Sequence, residues 1–129
     1  MVNYLAVLVA AIAAFAVGAL WYSVLFGKVW RREMGVVEGS SMSGMGKSMV
    51  GGFIATLVMV WVLAYFYALN YINTLPTALM LAALFWLGFI ATVMTNIVWY
   101  EKKSWTLYLI NVSHYLVALL VAAAVLIWI

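Results

Sequence analysis

The chain of 129 residues is 71% hydrophobic and 7% charged, with a mean hydropathy of +1.22, whereas soluble domains carry roughly a quarter charged residues. That excludes a soluble fold and fits one domain whose apolar surface lies against lipid. There is no Cys, no Asp and one His, and the three carboxylates are Glu33, Glu38 and Glu101, so disulfides, zinc or di-iron centres, and Ser-His-Asp or Cys-His catalytic sites lack their parts.

The first element is an apolar stretch over residues 3–26. Positive charge follows this stretch instead of preceding it, so it reads as a retained span and not as a cleavable signal. About 20 helical residues cross a hydrocarbon core of roughly 30 Å, and the stretches 48–70, 77–100 and 105–129 are also long enough. Backbone groups in lipid need internal partners, and the runs are too long for barrel strands, so helices are predicted. The lone Pro76 stands just ahead of the third span, where a missing N–H is tolerated. The expected fold is an all-α integral membrane four-helix bundle of two hairpins, with residues 1–129 as a single domain.

The connections differ in character. In residues 27–47, the segment Lys28-Val29-Trp30-Arg31-Arg32-Glu33-Met34 predicts a short basic helix on the membrane surface, anchored by Trp30. The Gly- and Ser-rich remainder, 35–46, predicts mobility. Residues 70–76 carry no charge, and 101–104 make a tight turn. All six basic residues (Lys28, Arg31, Arg32, Lys47, Lys102 and Lys103) lie in connections that follow odd-numbered spans, hence on one side. The positive-inside rule assigns that side to the cytoplasm and both termini to the outside. The same bias argues against an antiparallel dimer and explains the net charge of +3 by anionic headgroups, with no nucleic acid implied.

Ala6, Ala10, Ala14 and Gly18 recur every four residues and form one stripe on the first helix. Gly51 with Ala55, Gly52 with Thr56, and Gly88 with Thr92 and Asn96 make shorter stripes. Such stripes serve either packing within the bundle or a parallel homo-oligomer interface. Polar side chains inside the spans cost energy and carry more information. Gly88, Thr92, Thr95, Asn96 and Trp99 share a face of a regular third helix, and Ser104, Tyr108, Asn111 and Tyr115 share one on the fourth, with His114 adjoining. With Trp21, Tyr22 and Ser23 these residues gather in the basic half of the bundle. His114 is either a functional intramembrane imidazole or a neutral one hydrogen-bonded to Asn96, Asn111 or Tyr115. Glu101 is either a solvated turn carboxylate beside Lys102 and Lys103 or is turned inward beneath Asn111.

The Met42, Met45, Met49 spacing resembles a thioether site for Cu(I), but Met is plentiful elsewhere and the segment is expected to be flexible, so no metal is expected. Gly44-Met45-Gly46-Lys47-Ser48 mimics the tail of a phosphate loop without the strand that loop needs. No cofactor and no enzymatic activity are expected.

Over nearly its full length the chain resembles a bacterial membrane protein family known as domain of unknown function 1761. The resemblance rests on Asn3-Tyr4, Gly18-Ala19-Leu20-Trp21-Tyr22-Ser23 with Phe26-Gly27 and Trp30, Gly88-Phe89, Tyr100-Glu101 with a basic residue and Ser104, and Asn111 with Tyr115. Family members often carry Pro after the Trp-Tyr-Ser triplet, where this chain has Val24. The resemblance implies a four-span protein of the bacterial cytoplasmic membrane and supplies no activity. Two functions fit the residues. One is a small oligomeric channel or transporter for a solute or ion, with Trp21, Tyr22, Ser23, Asn96, Glu101, Asn111, His114 and Tyr115 lining a cytoplasm-facing pocket. The other is a structural or accessory membrane protein without transport activity.

Overall fold

Asn3 starts the first helix, α1 (Tyr4–Leu20), in the computed structural model, which describes residues 2–34 and 45–129. Its carboxamide oxygen accepts the N–H groups of Leu5 at 3.1 Å and Ala6 at 3.2 Å, two of the four donors that a helix start leaves open. The span runs on through a π-helical turn, Trp21–Leu25. Phe26 then leaves helical geometry with φ −128° and ψ 14°, so the span breaks here without a proline. The buried Gly27 makes the break tight, since a Cβ there would lie 3.0 Å from the Tyr22 carbonyl oxygen.

The short basic helix is present as α2 (Gly27–Met34). The Gly- and Ser-rich stretch over 35–44, with Glu38 and Met42, lies outside the described residues. Beyond it run α3 (Met45–Leu69) and α4 (Leu75–Trp86), whose first turn holds Pro76. The third span continues irregularly, as a π-helical turn at Leu87–Ala91, a 3₁₀ turn at Val93–Thr95, and α5 (Asn96–Trp99). Threonine hydroxyls take up carbonyls in this stretch: Thr92 donates to the Gly88 oxygen at 2.7 Å and Thr95 to the Thr92 oxygen at 2.6 Å. The last helix is α6 (Trp105–Trp128). Tyr71 and Lys102, with φ of 55° and 59°, turn the chain out of α3 and α5.

Four helical segments have the length and apolarity to cross a membrane: Tyr4–Leu25, Gly46–Leu69, Leu75–Trp99 and Trp105–Trp128. Among the described residues there is no strand. The protein is thus an all-α membrane bundle. In it α6 packs against both α1 and α4, while α3 packs against α1. Alanine makes the closest of these approaches. Ala10 and Ala11 of α1, Ala78 and Ala82 of α4, and Ala122 and Ala123 of α6 are completely inaccessible, because small side chains let backbones come together where lipid supplies no hydrophobic drive. Tyr67 ties α3 to α4 by donating to the Ala78 carbonyl at 2.5 Å, and Phe66 meets Phe85 edge-on with ring centres 4.9 Å apart. All of this lies away from the end that carries the basic residues.

The small-residue stripes divide between two uses. Ala6, Ala10 and Ala14 are buried within the bundle and Gly18 lies against His114. By contrast, a Cβ placed on Gly51 or Gly88 meets nothing within 4 Å, and Gly51, Ala55, Gly88, Thr92 and Asn96 all face outward. Among the described residues no close approach uses that second set.

Candidate functional site

At the basic end, Tyr22 of the first π-helical turn donates its hydroxyl to Asn111 Oδ1 at 2.7 Å. This bond joins α1 to α6 beside a cavity of about 340 Å³ lined by Tyr22, Trp30, Met34, Met94, Asn111 and Tyr115. The walls come from four parts of the fold: the end of the first span, α2, the 3₁₀ turn of the third span, and α6. Aromatic rings dominate the lining, and none of the six residues is Asp, Glu, Lys, Arg or His.

Trp30, expected as a membrane anchor of α2, is half-buried against the bundle. The amphipathic face of α2 docks on the bundle, with the Trp30 ring edge-on to Tyr22 at 5.7 Å and Met34 one turn further along the same wall. Lys28, Arg31 and Arg32 face outward. Glu33 fastens the helix from below by accepting the Ser104 hydroxyl at 2.6 Å, while Arg32 lies 3.7 Å from its other oxygen. Ser104 is also the N-cap of α6, its oxygen accepting the Leu107 N–H at 3.1 Å. One serine therefore caps α6 and latches α2. Ser104→Ala removes both bonds and is expected to lower stability by about 2 kcal/mol, with Ser104→Thr retaining most of it; equal melting temperatures for wild type and Ser104→Ala in detergent contradict the latch.

The remaining sequence-chosen residues surround the cavity without sharing it. Trp21 donates its indole N–H to the Ile110 carbonyl at 3.0 Å, and Trp86 does the same to Val112 at 2.6 Å from the α4 side. Two indoles thereby pin neighbouring carbonyls of α6, satisfying donors that lipid would leave bare. Ser23 turns outward and donates to the Ala19 carbonyl. His114 sits behind the pocket wall, between the rings of Tyr22 (5.1 Å) and Tyr115 (4.7 Å) and against Gly18. Its Nδ1 is buried with no partner among the described residues, so the hydrogen bond expected to Asn96, Asn111 or Tyr115 is not formed there.

Asn96 and Glu101 fall outside the cavity. The expectation for Asn96 assumed a regular helix through the third span. The π-helical and 3₁₀ turns between Leu87 and Thr95 change that register, and Asn96 faces outward. Glu101 lies exposed in the turn before Lys102, on the solvated side of the two alternatives. The carboxylate that does turn inward is Glu33.

Among the described residues no three His, Cys, Asp or Glu side chains gather in a way that would hold a metal ion. The family model described as Protein of unknown function (DUF1761) matches residues 5–127. The chain belongs to this family. No curated protein and no solved structure matches it. In this DUF1761 chain, two blocks of family resemblance meet at the cavity, because Tyr22 of the Trp21-Tyr22-Ser23 block bonds Asn111 and Trp30 follows it into the wall. Sequence reading missed Trp30, Met34, Met94 and Glu33 as parts of the site. For Glu33 and Met34 a signal existed: a lone acid within a basic helix, and an apolar Trp30–Met34 pair spaced i, i+4. Met94 has none, since its place depends on the irregular turns before and around it.

Proposed function

We propose that this DUF1761 protein is a small membrane carrier that takes a solute from the cytoplasm into the Tyr22–Asn111–Tyr115 pocket. The observation that carries this reading is the contrast between the two halves of the bundle. The basic half holds a 340 Å³ cavity with hydrogen-bonding groups in its wall; beyond it, alanines of zero accessibility close the contacts of α6 with α1 and α4, and the 420 Å³ hollow bounded by Phe66, Phe85 and Leu119 is lined by apolar side chains alone. A channel needs a continuous path, whereas a carrier is closed on one side at a time. In this reading the pocket opens to the cytoplasm of a bacterial inner membrane with both termini outside, an orientation supported by the six basic residues at that end. Anionic lipid headgroups then face Lys28, Arg31 and Arg32. The outward small-residue faces at Gly51–Ala55 and Gly88–Thr92–Asn96 support a parallel homo-oligomer.

A second reading has its own observation. Trp21, Trp86 and Tyr22 spend their donors on α6, as residues that merely lock a structural or accessory protein would. Flux separates the two. Asn111→Leu keeps the shape of the side chain but removes its amide, and reconstituted vesicles carrying it should move organic solutes roughly tenfold more slowly than vesicles carrying the wild type, the effect of losing one good polar contact. Equal rates from folded protein of both kinds favour the structural reading.

A further inference from the structure

We propose that the pocket selects an amphipathic anion, a carboxylate carried on an apolar alkyl chain. This rests on the reading of the cavity as a solute site. Its lining carries hydrogen-bond donors left open. Tyr22 already occupies Asn111 Oδ1, so the group that Asn111 has left to offer is its amide N–H₂. Among the described residues the Trp30 indole N–H, the Tyr115 hydroxyl and the Asn111 amide nitrogen bond no other group, while all three side chains line the cavity. Three donor-bearing side chains in the wall of one cavity that contains no acid suit an oxyanion, and such bonds to a charged acceptor are roughly twice as strong as neutral ones.

The charge around the site agrees. All six Lys and Arg residues lie at this end, against Glu33 and Glu101 among the described residues. Glu33 is engaged by Ser104 and Arg32. Lys28, Arg31 and Arg32 stand on the outward side of the helix whose inner face supplies Trp30 and Met34, so they attract an anion toward the mouth without contacting it. The rest of the lining, Met34, Met94 and the faces of Tyr22 and Trp30, offers an apolar bed for an alkyl chain.

The chain has no Cys, so Met94→Cys places a single thiol in the wall of the pocket. In inverted vesicles its reaction with a membrane-impermeant thiol reagent is followed in the presence of decanoate, decanol or decyltrimethylammonium, compared at equal membrane-bound amounts. Decanoate should half-protect the thiol at about tenfold lower concentration than decanol and lower still than the cation. Trp30→Phe keeps the ring but loses the N–H, and should weaken protection by decanoate several-fold while leaving decanol unchanged. Ser48→Cys, outward-facing at the start of α3, should not be protected by any of them. Equal protection by all three, or best protection by the cation, overturns selection of an anion and leaves the pocket a solute site. A reactive Met94→Cys that none of the three protects overturns the anion proposal, and a Met94→Cys that never reacts from this side overturns the reading of the pocket itself.

Discussion

Gly18→Ala is expected to lower the stability of the bundle by about 1–3 kcal/mol, the usual cost of forcing a methyl group into packed space. A Cβ at this position would lie 2.9 Å from His114 Nε2, with Cε1 at 3.6 Å and Cδ2 at 3.7 Å. The imidazole has little freedom to withdraw, because the rings of Tyr22 and Tyr115 stand 5.1 and 4.7 Å from it. Moving it also shifts Tyr22, and with it the bond to Asn111 that closes the pocket wall. The damage should therefore reach ligand binding as well as melting temperature. Removing the obstructing ring tests the cause directly. His114→Ala alone leaves a void and costs stability, but Gly18→Ala combined with His114→Ala should be more stable than the sum of the two losses by at least about 1 kcal/mol. Strict additivity in thermal unfolding of the reconstituted proteins means that the glycine is there for another reason.

The same contact shows how far the residues alone could be read. The stripe Ala6, Ala10, Ala14, Gly18 is visible from helical periodicity, and its use inside the bundle follows once α6 is known to lie against it. His114 is conspicuous as the single ionisable group deep in a span, yet its true neighbours, Gly18 and the two tyrosine rings, depend on how two distant helices register. Hydropathy places four spans whose ends fall within three residues of the observed helices, because lipid imposes length and composition on each helix separately. Regularity is what fails. Where α4 gives way to π-helical and 3₁₀ turns, the spacing that put Asn96 beside Asn111 no longer describes the helix. The first span changes in the same way at Trp21–Leu25, and there the widened turn delivers Tyr22 to Asn111. Glu33 was overlooked for a related reason: a basic amphipathic helix suits a membrane surface as well as a protein surface. Only the Ser104 hydroxyl facing it decides which one α2 covers.

The larger effect is expected from Ala122→Leu. Ala122 is completely inaccessible in the C-terminal half of α6, as are Ala10 and Ala11 of α1 and Ala78 and Ala82 of α4. α6 is the helix that packs against both α1 and α4, and Ala122 does not line the hollow at Leu119 one turn away, so a leucine here presses on the neighbouring helices. The helices must separate, and each loses close contact with the others over several turns. Overpacking commonly costs 1–3 kcal/mol at a site that can adjust. A site closed in by packed helices adjusts poorly, and the loss should exceed about 3 kcal/mol, a large share of the stability of a marginally stable bundle. Ala55→Leu adds the same atoms to an outward-facing position of α3 and should leave the melting temperature of the monomer unchanged. An Ala122→Leu protein that purifies in wild-type yield and melts at the wild-type temperature shows that the alanine core is loose. The carrier reading then loses its basis, because the closed half of the bundle is what separates a carrier from a channel.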